Sequence, residues 1–218
     1  MQQVETIAEM RSVVANARAH GKSISFVPTM GALHEGHLKL VDGARRVGDF
    51  VVMSIFVNPL QFGPNEDFAR YPRTLEHDSK LAEGRGVDFL FTPTREDMYP
   101  SYAPVVQVHS GSVGKEWEGA QRPHHFEGVL TVVAKLFHIV MPDVAVFGQK
   151  DLQQVAAVKA PRFGGSRTTS GAKERLAGIP SRRKNNSQLT WGEGGLAPPA
   201  IDQNEKSPIA WVGFQLGE

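Results

Sequence analysis

The ten residues Pro28-Thr29-Met30-Gly31-Ala32-Leu33-His34-Glu35-Gly36-His37 separate two contrasting patterns. Before them runs Ile24-Ser25-Phe26-Val27, an apolar stretch suited to a buried strand; after them Leu38, Leu40, Val41, Ala44 and Val47 recur at helical spacing. The segment is therefore a strand-to-helix turn, and it constrains the fold more than any other feature of the chain. In an open α/β sheet, ligands bind in the crevice beyond the carboxyl ends of the strands. A helix amino end there offers unpaired backbone N–H groups to an anion, and phosphate is the natural guest. Gly31 and Gly36 allow close backbone approach or positive φ. His34 and His37 flank Gly36 and reach the same spot.

The same arrangement recurs along the chain. Thr6 caps a first helix carrying Ile7, Met10, Val13, Val14 and Ala17, ended by Gly21. Phe50 to Val57 is a near-continuous apolar run, as expected of a strand buried on both faces, and Asn58-Pro59-Leu60-Gln61-Phe62 follows at once. Gln61 brings an amide suited to a carboxylate or hydroxyl, although an Asn-Pro-x-Gln loop alone is more often a plain turn. Thr74 opens a helix towards Gly84, on which Asp78 reads as a solvated carboxylate rather than a holder of a metal–phosphate group. Val87 to Phe91 is a third buried strand, and Val105 to Val108 a short edge strand.

Arg122 stands before an apolar helix, Val129 to Val140; binding an anion and capping that helix are equally open roles for it. Val144 to Phe147 forms a further strand. It leads into Gly148-Gln149-Lys150-Asp151-Leu152-Gln153-Gln154, where Lys150 brings a mobile positive charge and Gln154, one turn later, points to the same side. Three strand ends thus bear polar clusters. The fold expected is α/β, a Rossmann-like doubly wound parallel sheet.

Composition narrows the chemistry. The 218 residues include no cysteine, which removes disulfides, thiolate catalysis and Cys-ligated zinc. His34-x-x-His37 as half of a zinc site is disfavoured because no HExxH helix pattern accompanies it. A net charge of +1 gives no sign of a nucleic-acid partner, and Arg182-Arg183-Lys184 lacks interleaved aromatics, so it reads as a solvated run. Neither a signal peptide nor a membrane-length apolar stretch is evident, and a soluble cytoplasmic protein is expected.

His34-Glu35-Gly36-His37 resembles the HxGH signature of the nucleotidyltransferase superfamily, and Pro28 to His37 as a whole is similar to the pantothenate synthetase family's version of it. Val57-Asn58-Pro59-Leu60-Gln61-Phe62 resembles that family's VNPxQF, and Gly148 to Gln154 its G-[EQ]-K-D-x-Q-Q segment. Arg122-Pro123-His124-His125-Phe126-Glu127-Gly128-Val129 is similar to RPGHFxGV, except that His124 replaces the glycine. The resemblance implies an ATP-dependent ligase that joins pantoate to β-alanine through pantoyl adenylate, with Mg2+ accompanying ATP. It implies that Met30, Gly31, Ala32, Leu33, His34, Glu35, Gly36 and His37, with Gly148, Gln149, Lys150 and Asp151, bind ATP. His34, His37 and Lys150 would be catalytic, Gln61 and Gln154 would hold pantoate beside β-alanine, and family members are commonly homodimers.

The resemblance covers residues 1–160 and then stops. Residues 161–218 carry no SSRN-like phosphate loop and no recognisable lid domain. They are rich in glycine, serine, proline and arginine without sustained periodicity, a composition that buries too little apolar area to offset its ordering entropy. Poorly ordered loops are expected, anchored by Ser187 to Trp191 and Ile209 to Val212. A shift of reading frame near codon 160 would account for the abruptness. Two alternatives to an active ligase follow: a non-catalytic pantoate-binding remnant, and another HxGH nucleotidyltransferase, which leaves Gln61 and Gln154 unexplained.

Overall fold

In the computed structural model, residues 1–63, 66, 68–101, 104–148, 153–154 and 209–212 are described. The elements run β1 (Gln2–Val4), α1 (Ile7–Ala19), β2 (Ile24–Thr29), α2 (Glu35–Val47), β3 (Phe50–Ile55), α3 (Leu75–Gly84), β4 (Phe89–Phe91), α4 (Arg95–Met98), α5 (Trp117–Gln121), α6 (His125–Val140), β5 (Val144–Gly148) and β6 (Ile209–Val212). One sheet holds the six strands in the order β1-β4-β3-β2-β5-β6, and every pairing is parallel.

Alternation along the strands builds two cores. Ile24, Phe26, Val52, Phe91, Ala145 and Phe147 face one side, where they pack against α1 and α6. Val27, Val51, Met53, Leu90, Val144 and Val146 face the other, against Leu40, Val41, Ala44 and Val47 of α2 and Ala82 of α3. Each fully buried side chain of this size contributes about 1.5–3 kcal/mol, so both faces must be covered for the sheet to persist. Helices on both faces make this the doubly wound α/β fold expected.

The chain order places the crevice. From β2 the chain proceeds outward through β3, whereas β5 lies on β2's opposite flank. The winding reverses between β2 and β5, and a parallel sheet opens a crevice at the carboxyl ends of such strands. The histidine turn leaves β2 there, and Gly148 ends β5 on the same edge of the sheet.

Local signals act as expected in several places. Thr6 and Glu9 form a capping box at the start of α1, worth about 1 kcal/mol. Gly21, past its end, has φ +71°. One expectation is corrected and two strands are added. Val105 to Val108 forms no strand, and Val105 and Val106 are exposed instead. Gln2–Val4, passed over in the sequence, pairs with β4 as an edge strand. Ile209–Val212 is more than an anchor in a loose tail, since it extends the sheet beside β5 with Ala145 opposite Ile209 and Gly148 opposite Val212. The rest of the expected tail, Ser187 to Trp191 included, lies outside the described residues.

Candidate active site

The turn after β2 is braced from two sides. Thr29 Oγ1 donates to the Ser54 carbonyl at 2.7 Å and accepts the Gly31 N–H at 3.3 Å. Gly31 and Ala32 then take φ +86° and +50°. A Cβ at Gly31 would stand 3.0 Å from Ile55 Cγ2 and 3.1 Å from Asp78 Oδ2, so glycine is needed for clearance as well as for conformation. Asp78 accepts the Ala32 N–H at 2.9 Å and the Leu33 N–H at 2.8 Å. The reading of Asp78 as a solvated carboxylate is thereby corrected, because only 1% of it is exposed.

His34 is the N-cap of α2, with extended backbone. Its Nδ1 accepts the Gly36 N–H at 3.0 Å, and its own N–H donates to His37 Nδ1 at 3.4 Å. Two imidazoles thus form a reciprocal capping box. With both Nδ1 atoms accepting, the proton of each neutral ring sits on Nε2. The ring centroids are 4.1 Å apart. A Cβ on Gly36 would meet His34 Cε1 at 2.7 Å, so only glycine lets the first ring fold over the turn. Of the amides at the helix end, those of Gly36, His37 and Leu38 are engaged, the last two by the His34 carbonyl. Imidazole Nε2–H groups add to the backbone donors that an anion would meet here. Glu35 directs its carboxylate to Arg85, at 2.7 and 2.9 Å.

Gln61 meets this turn from β3. Its Nε2 donates to Met30 Sδ at 2.9 Å, and its Oε1 accepts from Asn58 Nδ2 at 3.1 Å. Asn58 is buried and tied on every side. Tyr99 donates to its Oδ1 at 3.0 Å, the Leu60 N–H bonds the same oxygen, and Nδ2 donates to the Gly128 carbonyl at 3.0 Å. Desolvation pushes the Tyr99 phenol well above its usual range, which keeps it a hydrogen-bond donor.

Arg122 and His125 clamp the far side of the loop. The Gln61 carbonyl accepts from His125 Nδ1 at 2.8 Å and from Arg122 Nη2 at 3.4 Å. Arg122 also grips Glu66 through two bonds, at 2.6 and 2.7 Å, and Glu118 through one of 2.8 Å. These bonds answer the open question about Arg122: its partners are carboxylates of this chain and the loop carbonyl. The guanidinium holds the Glu66 carboxyl down at about 2. His124, where the resemblance expects glycine, adopts φ +70° and caps α6 without a side-chain bond.

The structure brings together Met30, Gly31, Ala32, Leu33, His34, Glu35, Gly36, His37 and Gln61, and sets Gly148 on the same sheet edge. Gln149, Lys150 and Asp151 lie outside the described residues. Gln154 is half-buried. Its neighbour Gln153, unremarked in the sequence, is buried and joins the Glu118 N–H at 3.0 Å and the Glu116 carbonyl at 2.7 Å. The roles of Asn58, Asp78 and His125 were missed for one reason: their long-range partners lie 41 to 70 positions away, beyond any local pattern.

Comparison with known proteins adds independent findings. A family model described as pantoate-beta-alanine ligase matches residues 2–161. Pantothenate synthetase of Desulfitobacterium hafniense is 62% identical over 148 residues, covering 68% of this chain and 52% of that protein. The Moorella thermoacetica pantothenate synthetase is 59% identical over 160 residues, covering 73% and 56%. The chain thus spans about half the length of these relatives. Among solved structures, pantothenate synthetase from Thermus thermophilus superposes with a TM-score of 0.69 at 42% identity, covering 98% of this chain and 61% of that one. Pantoate-beta-alanine ligase from Francisella tularensis, complexed with beta-gamma ATP and beta-alanine, gives 0.72 at 31% identity over 99% and 67%. The matched segment contains the histidine turn, the Gln61 loop and the Lys150 segment alike, and on these grounds the chain belongs to the pantoate-β-alanine ligase family.

Proposed function

We propose that this chain takes part in the ATP-dependent condensation of pantoate with β-alanine, as the sheet-bound half of a ligase site. The observation that carries the reading is the contact between Gln61 and Met30, which joins the glutamine loop to the histidine turn at one rim of the sheet. A carboxylate substrate held by Gln61 and Gln154 would then stand beside phosphates held by His34, His37 and Lys150.

In the first step a pantoate carboxylate oxygen attacks the α-phosphorus of ATP, and the bond to the bridging oxygen breaks to release pyrophosphate. Negative charge grows on the phosphoryl oxygens, and preorganised donors aimed at that charge lower the barrier. The two imidazole Nε2–H groups are such donors, oriented by the capping box before substrate arrives. In the second step the β-alanine amine attacks the acyl carbon of pantoyl adenylate, AMP leaves with the bonding pair, and the amine loses a proton. Met30 to His37 and Gly148 to Asp151 frame the nucleotide. Mg2+ accompanies ATP through its phosphates; the described residues contain no cluster of three or more acidic or histidine side chains that would cage it alone. A homodimer working in the cytoplasm fits this reading, and no described helix is long and apolar enough to cross a membrane.

One observation favours a second reading, a pantoate-binding remnant without turnover. The family match ends at residue 161, and the segment beyond it supplies β6 rather than an SSRN-like loop. The test is β-alanine-dependent release of AMP from ATP and pantoate. Release that depends on His37 supports the ligase. Pantoate binding without any AMP release supports the remnant, and neither activity refutes both.

A further inference from the structure

We propose that Asp78 is a positioning residue for the nucleotide-binding turn: from α3 it fixes the Ala32 and Leu33 amides and thereby sets where His34 and His37 stand. The proposal rests on the ligase reading for its functional meaning, and on three observations for its mechanism. First, Asp78 is nearly inaccessible, yet no salt bridge to it is found among the described residues. Its charge is met by donors instead: the Ala32 N–H at 2.9 Å, the Leu33 N–H at 2.8 Å and Thr74 Oγ1 at 3.2 Å. A carboxylate with both oxygens bonded to the same short backbone segment is a two-point brace, and it lies in the first turn of α3, where the helix dipole favours an anion.

Second, the braced segment is conformationally costly. Ala32 carries a Cβ at φ +50°, and such residues persist only where surrounding structure over-determines them. Asp78 touches the strained residue's own N–H, and Gly31 passes so close that a Cβ would lie 3.1 Å from Oδ2. Third, the brace is one residue from the site. Leu33 is followed directly by His34, whose backbone and ring start the capping box, so rotation of the Leu33 peptide moves both imidazoles together.

The test compares the full chain with Asp78→Asn and Thr74→Ala by amide hydrogen exchange and by ATP titration. An asparagine keeps one acceptor and turns a donor towards the second amide. Exchange at Ala32 and Leu33 should therefore accelerate about tenfold, with α1 and α6 unchanged and ATP binding about tenfold weaker. Thr74→Ala removes one bond to the carboxylate and should shift both readouts in the same direction by about two- to threefold. It also serves should Asp78→Asn fail to fold. Unchanged exchange at both amides in the folded variants overturns the proposal, as does accelerated exchange with unaltered ATP affinity. Should the unsubstituted chain bind no ATP, the ligase reading falls and the positioning role with it, whereas unchanged exchange in a chain that binds ATP removes the brace alone.

Discussion

Replacing Gly128 by alanine separates helix propensity from packing with opposite signs. Gly128 is the fourth residue of α6, and in an isolated helix the change gains about 1 kcal/mol. Here the new Cβ would lie 2.3 Å from the Leu60 carbonyl oxygen, 2.5 Å from its carbon and 2.7 Å from the Gln61 nitrogen. All three are backbone atoms, so the loop must move. Overpacking of this kind costs about 1–3 kcal/mol. The bond from Asn58 Nδ2 to the Gly128 carbonyl is lost or stretched as the two segments part, at about 1 kcal/mol more. The sum predicts a net loss of about 1–3 kcal/mol and, at about 2–4 °C per kcal/mol for a chain of this size, a melting temperature lower by several degrees. Because Gln61 is carried on the displaced segment, pantoate binding should weaken about tenfold or more, as expected for an ångström-scale misplacement. Thermal denaturation and calorimetric titration of the same preparation measure both. A variant at least as stable as its parent, with unaltered pantoate affinity, would refute the claim that close approach of α6 sets the Gln61 loop.

Three further outcomes are expected. His124→Gly should stabilise the protein by about 0.5–1 kcal/mol in urea unfolding, since it relieves a left-handed histidine at the start of α6 at some entropic cost in the unfolded chain. Ser54→Ala should be neutral or stabilising in a thermal melt, because the buried Ser54 hydroxyl has no partner to lose. Glu66 has a folded pKa of about 2 against an ordinary 4.5, so its contribution is complete above pH 4.5 and vanishes as the pH falls towards 2. The partly exposed pair limits the effect to about 1 kcal/mol or less, and Glu66→Gln should flatten the pH dependence of stability in that window.

The strands and the turn were legible because their causes are local. Alternation from Ile24 to Val27 and from Val144 to Phe147 is written in consecutive residues, and each face meets its helices as the pattern demands. The glycines at 31 and 36 could be read as close approaches, although the obstacles, Asp78 and the His34 ring, could not. Apolar character alone misled at Val105 and Val106, where no strand among the described residues offers a ladder and both side chains face solvent. At Asp78 a helical carboxylate among polar neighbours looked solvated; its burial follows from contact with a turn 46 residues earlier. At the helix end the Gly36 amide is taken by the His34 ring and the His37 amide by the His34 carbonyl, a use of donors that no sequence pattern announces.

Titration calorimetry with pantoate, on the unsubstituted chain and on Gln61→Ala, tests most directly whether the histidine turn and the glutamine loop make one substrate site. Saturable binding by the parent, weakened about tenfold or more by loss of the Gln61 amide, is the result predicted. No pantoate binding by the parent, or equal affinity in both proteins, would contradict it.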